Sequence, residues 1–234
     1  MNKIKENIDK ITGQINHACL DNNRQNSVTL LAVSKTKPAS AVVQAHLAGQ
    51  NDFGENYCQE AVEKIAELSH LPNVCWHFIG PIQSNKTKQI ADNFSWVHSV
   101  DREKIAIRLN NHRSEYIKQA STQNHSHDTP LNICLQVNIS EESSKSGIMT
   151  SEVFSLAKVV DNCDNLTLRG LMAIPEKNAG NEVYAKMQHL FKELQAQYPT
   201  VDTLSMGMSN DLDIAIANGS TMVRIGTAIF GARA

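Results

Sequence analysis

No stretch of the 234 residues approaches the ~20 consecutive apolar residues that a helix needs to cross a bilayer. No apolar leader core opens the chain either, because Met1 to Lys10 is charged throughout. One sign of charge is not in excess: 22 Lys and Arg against 24 Asp and Glu leave −2. That argues against a nucleic-acid binder working through a basic surface. Paired cysteines are missing too. Cys19, Cys58, Cys75, Cys134 and Cys163 are odd in number and scattered. They read as reduced thiols of a cytoplasmic protein, mostly small core residues. There is no repeat, no low-complexity tract and no linker, so residues 1–234 are read as one domain. What is present is ordinary globular composition, 41% hydrophobic and 20% charged. No membrane and no nucleic acid is expected as partner, and function has to be read from a site.

The first 20 residues space Ile4, Ile8, Ile11 and Ile15 for one helical face. Short apolar runs then alternate with helical patterns. Strands are expected at 29–34, 52–55, 74–79, 95–100, 131–139, 166–174, 203–206 and 221–225. Helices are expected at 38–48, 56–68, 85–91, 102–119, 151–160, 182–197 and 210–218. Asn56 looks like an N-cap, with Gln59 completing a capping box, and Gly219 suits a helix stop. Residues 121–130 form a polar excursion within the domain. Eight strand-helix units after one leading helix imply a parallel sheet closed as a (β/α)8 TIM barrel, with a doubly wound open sheet as the alternative.

In such a barrel the working residues sit at the C-terminal ends of the strands. The run Leu31-Ala32-Val33-Ser34-Lys35 ends on a lysine, and Pro38 stops it shortly after. Alternation puts Lys35 on the face of Leu31 and Val33, at a buried mouth, where the neutral amine that condenses with aldehydes is favoured. Asn56, His77, Met172, Ser209 and Arg224 also fall at or near strand ends. The loops after the last two strands carry Gly207 and Ser209, then Gly226 and Thr227. These pair a glycine with a hydroxyl at the two places where this fold binds phosphate. Arg224 lies in an otherwise apolar strand and needs an acceptor. A lysine at one strand end, a phosphate cradle and an arginine between them are the constellation for pyridoxal 5′-phosphate (PLP).

Ordered segments along the whole chain carry a resemblance. They include Leu31-Ala32-Val33-Ser34-Lys35-Thr36-Lys37-Pro38, Phe53-Gly54-Glu55-Asn56-Tyr57 and Trp76-His77-Phe78-Ile79-Gly80. They continue through Val137-Asn138-Ile139-Ser140, Lys145-Ser146-Gly147 and Gly170-Leu171-Met172-Ala173-Ile174-Pro175. Ser205-Met206-Gly207-Met208-Ser209 and the 219–231 segment complete them. On these residues the sequence resembles the pyridoxal phosphate homeostasis proteins. The resemblance implies a barrel similar to the N-terminal domain of alanine racemase, the fold type III of PLP proteins. It implies Lys35 as the Schiff-base lysine, Ser209, Gly226 and Thr227 at the phosphate, and Arg224 facing the ring nitrogen. It implies a carrier or regulator in vitamin B6 homeostasis, with effects on amino-acid metabolism and no established catalytic activity.

The residues agree with weak catalysis. An arginine leaves the pyridine nitrogen unprotonated, so the ring is a poorer electron sink. The chain ends just after the barrel, so no second domain is expected to cover the site, and a monomer is expected. His77 is the local candidate for one proton donor and for a cofactor contact, although a histidine between Trp76 and Phe78 is more often a packed core residue. Asn56 can serve as cap and cofactor contact together. Lys37 is expected outside the pocket, and with Lys145 it could form a weaker second PLP site. His125 and His127 lack a third metal ligand nearby. The alternatives are a PLP-dependent racemase-like enzyme of low activity and a phosphosugar-handling barrel. PLP-requiring apo-enzymes are the expected protein partners of a carrier.

Overall fold

The computed structural model describes residues 3–24, 28–121, 129–142 and 146–232. Helix α1 (Lys3–Asp21) leads into strand β1 (Thr29–Val33). The chain then alternates through α2 (Ala39–Leu47), β2 (Asp52–Glu55), α3 (Cys58–Glu67), β3 (Cys75–Phe78), α4 (Thr87–Asn93) and β4 (Trp96–Val100). It continues with α5 (Glu103–Ser121), β5 (Leu131–Val137), a short 3-10 turn at Thr150–Glu152, α6 (Val153–Asp161), β6 (Leu166–Ala173) and α7 (Asn181–Gln197). It finishes with β7 (Thr203–Ser205), α8 (Leu212–Ala217), β8 (Met222–Ile225) and α9 (Thr227–Phe230). All eight strands pair in parallel, in chain order, and β8 closes on β1 with Leu31 opposite Arg224. The expected closed barrel and leading helix are what the chain forms.

Side-chain alternation divides the strands into two layers. Ala32, Phe53, Phe78, Val97, Ile133, Leu135, Leu171, Leu204, Val223 and Ile225 join the helices in one continuous apolar layer. Leu31, Cys134, Met172 and Met222 are equally buried but outside that layer, and they face the lumen. Branched aliphatics ordinarily fill such a lumen. Here His77, His98, Ser205 and Arg224, all buried, share it.

Two bulges break the alternation. Ile133 pairs with Leu168 but Cys134 with Gly170, so Arg169 is the extra residue. As a result Leu168 and Leu171, three apart, both face the helices. The register also shifts between Val97 and Val100 on β4. At the first bulge Gly170 has φ +150°, and a Cβ there would stand 1.8 Å from the Thr203 carbonyl oxygen. Gly170→Ala is therefore expected to cost at least about 3 kcal/mol. A urea midpoint within experimental error of the native one would contradict this.

The starts of two expected helices are corrected. Asn56 does not cap α3: Tyr57 holds the N-cap position, and no side chain caps it. The peptide turns one residue later because the Asn56 backbone lies against Gly80, where a Cβ would be 2.1 Å from the Asn56 carbonyl oxygen. No side chain caps α8 either. Asp211 is at that N-cap position, and its carboxylate accepts the Met208 amide at 2.8 Å. The expected helix at 56–68 accordingly starts at Cys58, and the one at 210–218 at Leu212. Gly219 does stop α8, at φ +84°. Most of the 121–130 excursion, with His125, His127 and also Lys145, lies outside the described residues.

Candidate functional site

The barrel mouth is built around the turn that follows β1. Lys35 is part-buried there, and Thr36 adopts φ +61°, an uncommon conformation for a β-branched residue. A buried network holds the turn in that shape. The Ser34 hydroxyl donates to Glu55 Oε1 at 2.7 Å. Lys64 Nζ donates to the Ser34 carbonyl at 2.9 Å, to Glu55 Oε1 at 2.7 Å and to Glu60 Oε1 at 3.0 Å. Glu60 also accepts the Thr36 amide at 2.6 Å. Ser34 and Glu55 are fully buried. Burial pushes the Glu55 carboxyl up, against the opposing pull of Lys64 and Ser34. Strand alternation had drawn attention to Lys35 alone; the members that fix its backbone come from β2 and α3.

Val33 pairs with Gly54, so the strands that lead to Lys35 and to Asn56 are neighbours at this end of the barrel. Asn56 Oδ1 is buried and has no hydrogen-bond partner among the described residues. Across the closing seam, Arg224 is buried in the lumen. Its Nη1 donates to the Ser205 carbonyl at 2.7 Å and to Ser205 Oγ at 2.8 Å, and its Nη2 to the Ala173 carbonyl at 2.9 Å. A guanidinium has five N–H groups. The Nε–H and the second Nη2–H find no acceptor among the described residues. Burial lowers the guanidinium to about 10, so it stays charged at neutral pH. Met172 is buried next to Ala173, on the lumen face of β6.

Two loops complete the mouth. Gly207 has φ +96° and its carbonyl accepts the Arg224 amide at 3.0 Å. Asp211 holds the loop from below through Tyr184, whose hydroxyl donates at 2.8 Å. Ser209 is left exposed at the loop tip. After β8, Gly226 lies against β1, where a Cβ would meet the Val33 carbonyl oxygen at 3.2 Å. Thr227 and Ala228 then open α9 with amides that a helix cannot pair internally. Thus Lys35, Asn56, Met172, Ser209, Arg224, Gly226 and Thr227 all belong to one end of the barrel. The orphaned Asn56 oxygen, the spare Arg224 donors and the bare amides suit a flat heteroaromatic ring with a phosphate arm. Lys37 faces away, its Nζ on the Ala232 carbonyl at 2.5 Å.

His77 is the expected site residue that the structure places apart. It is fully buried deeper in the lumen with both ring nitrogens engaged, Nδ1 to His98 Nε2 at 2.9 Å and Nε2 to Asp52 Oδ1 at 3.1 Å. His98 Nδ1 in turn meets Ser205 Oγ at 3.1 Å. Trp96 stacks on His77 at 5.4 Å. A row of polar groups therefore runs from Arg224 to Asp52, which reaches a cleft of about 330 Å³ at the N-terminal strand ends. Burial pushes both histidines below their ordinary 6.5, His77 against the opposing pull of Asp52, and His98 furthest, with His77 and the Arg224 charge adding to the effect there. Both are neutral in the fold and charge more readily when unfolded. Stability is therefore complete above about 6.5 and falls as pH drops below it, by at most about 2.7 kcal/mol per pH unit for the pair. In His98→Gln this loss should be about half as steep; urea midpoints across that range measure it, and an unchanged slope would contradict it.

Comparison with known proteins came out consistently. The family model described as alanine racemase, N-terminal domain, matches residues 3–234. The chain is 52% identical over 238 residues to a Pseudomonas aeruginosa protein named pyridoxal phosphate homeostasis protein, covering 100% of this chain and 97% of that one. A Vibrio alginolyticus protein of the same name is 50% identical over 241 residues, with 100% and 99% covered. The solved structure of PipY from Synechococcus elongatus with PLP bound is similar at 33% identity and a TM-score of 0.81, covering 97% of this chain and 100% of that one. Alanine racemase from Corynebacterium glutamicum shares the fold, with a TM-score of 0.70 at 12% identity.

Proposed function

The chain belongs to the alanine racemase N-terminal domain family, and on that premise we propose that it binds PLP at the C-terminal mouth of the barrel and serves in PLP homeostasis. The observation that carries the reading is Arg224: a buried cation, fixed by three carbonyl and hydroxyl contacts, with donors left over toward the mouth. Bound PLP supplies an aldehyde for an amine and a ring that can accept electron density.

The chain's own residues divide the binding. Lys35 holds the cofactor as a Schiff base, presented by the turn that Glu55 and Lys64 fix. Ser209, Gly226 and Thr227 take the phosphate through hydroxyls and backbone amides. Arg224 donates to the ring nitrogen and keeps it unprotonated, and Met172 packs beside it. Asn56 Oδ1 accepts from a polar group at the aldehyde end. His77 drops out as a proton donor at the mouth, because both of its nitrogens are engaged below. That leaves no paired acid and base at the mouth among the described residues, which supports a carrier over a racemase. A carrier hands PLP to cofactor-requiring apo-enzymes.

Two measurements test this. The loaded protein should reactivate a PLP-dependent apo-enzyme faster than the same concentration of free PLP. It should also leave deuterium exchange at the α-carbon of amino acids at the rate given by free PLP. Exchange well above that rate, with no advantage in transfer, would favour the racemase-like alternative.

A further inference from the structure

At the opposite end of the barrel the first residues of β2 and β3, Asp52 and Cys75, stand directly across from each other in register. His77, two residues along β3, shares the Cys75 face. A carboxylate oxygen of Asp52, Sγ of Cys75 and a ring nitrogen of His77 lie within 4.8 Å of one another. Nε2 of His77 and Oδ1 of Asp52 are 3.1 Å apart, close to the separation of two ligands on one tetrahedral zinc ion. Cys75 differs from the other cysteines: it is part-exposed, whereas Cys19, Cys58, Cys134 and Cys163 are buried. Asp52 and His77 both line the 330 Å³ cleft, which opens a fourth position to water. The Arg169 cation in that cleft is already paired with Asp202 and stacked over Trp96, so it does not oppose a second cation at Asp52.

The second sphere is in place as well. A metal-bound histidine almost always donates its other ring N–H to a fixed acceptor. His77 Nδ1 has one in His98 Nε2 at 2.9 Å. We propose that Asp52, Cys75 and His77 bind a zinc-class divalent cation, and that binding reverses the hydrogen-bond direction of the histidine pair that leads to Arg224.

The direction follows from the two ends of the row. Arg224 can only donate, so Ser205 Oγ accepts from it, and the Asp52 carboxylate can only accept, so counting back through the two histidines the serine gives its own proton to His98 Nδ1. His98 then carries its proton on Nε2 and donates to His77 Nδ1, and His77 donates from Nε2 to the Asp52 carboxylate. A metal on His77 needs a bare Nε2. The proton then sits on Nδ1 of His77 and donates to His98, and the His98 proton moves to its own Nδ1 and donates to Ser205 Oγ. Ser205 now accepts from both His98 and Arg224, and its hydroxyl proton turns away. In the same event a metal–sulfur bond forms and the Cys75 thiol proton leaves to solvent. Occupancy at one end of the lumen thus changes the oxygen on which the Arg224 guanidinium rests at the other.

Titration of the full chain with Co²⁺ tests the site. Tetrahedral visible bands and a thiolate-to-cobalt charge-transfer band should saturate at one equivalent, and added Zn²⁺ should displace them. Cys75→Ser should lose the charge-transfer band and Cys163→Ser should keep it. The isosteric Asp52→Asn should bind at least about tenfold more weakly. Absent bands in the native chain, or a charge-transfer band that survives in Cys75→Ser, would overturn the site. Nitrogen-15 spectra of the histidine rings test the coupling. Zn²⁺ should move the proton from Nε2 to Nδ1 on both His77 and His98, and a His98 that keeps its tautomer while Zn²⁺ is bound would overturn that part.

Discussion

Replacing Lys64 by methionine should destabilise the fold by about 3–5 kcal/mol, because it strips a buried carboxylate of its cation. Glu55 is fully buried, and Lys64 supplies its shortest cationic contact, at 2.7 Å. Methionine keeps the bulk, so packing loss is small and the electrostatic effect is isolated. The pH dependence gives a second signature. The Glu55 carboxyl is already raised by burial in the native protein. Without Lys64 it is raised further, so the folded state holds a proton that the unfolded state has released. A raised acid contributes stability at low pH and loses it as pH rises through the folded value. The penalty should thus be smaller near about pH 5 than near about pH 8. The double variant Glu55→Gln with Lys64→Met should recover more than half of the loss, since the fully buried charge goes together with its cation and only the part-exposed Glu60 loses a partner. Urea midpoints at the two pH values measure all three. A penalty below about 1 kcal/mol at the higher pH would show the pair to be ordinary surface electrostatics.

Lys35→Ala should abolish covalent cofactor binding altogether while leaving the fold intact. The side chain is only part-buried, and the contacts among Ser34, Thr36, Glu55, Glu60 and Lys64 hold the turn. The variant should still bind PLP through Arg224 and the phosphate loops, but reversibly, so that gel filtration strips it. Its absorption spectrum should be that of free PLP aldehyde, without the Schiff-base band. Thermal midpoints within about 1 kcal/mol equivalent of the native one would confirm that the loss is local. Lys37→Ala should change neither property, because its ammonium is spent on the Ala232 carbonyl. A Lys35→Ala protein that still binds PLP covalently would remove Lys35 from the account.

What could be read along the chain was the alternation of short apolar runs and amphipathic helices, which points to a parallel sheet, and the count of eight units favours closure over an open sheet. Lys35 and Arg224 were legible for the same reason: a charge inside an apolar strand needs a cause. The rest depends on distance in space. Glu60 and Lys64 sit four apart, the spacing of an ordinary solvated helix pair, and nothing local says that Lys64 turns inward to Glu55. The clue was present but faint, in that Lys64 lies on the stripe of Ala61 and Leu68. His77 was misplaced because alternation gives the face of a side chain but not its height in the lumen. Its partner His98 lies within the register shift of β4, and Asp52 sits at the opposite end of β2 from Glu55, so no periodic pattern joins them. The Arg169 bulge is also invisible to a period of two, since it appears as one residue out of step. Asn56 was read as a cap from its type and spacing, whereas the close approach of Gly80 decided the turn.

The central claim is that the amine at the end of β1 carries the cofactor. Borohydride reduction of the PLP-loaded protein, followed by peptide mass spectrometry, tests it most directly. The account predicts a single pyridoxyl adduct, on Lys35, at close to full occupancy. An adduct on Lys37 or Lys145 in its place, or no adduct on a protein that remains yellow, would contradict it.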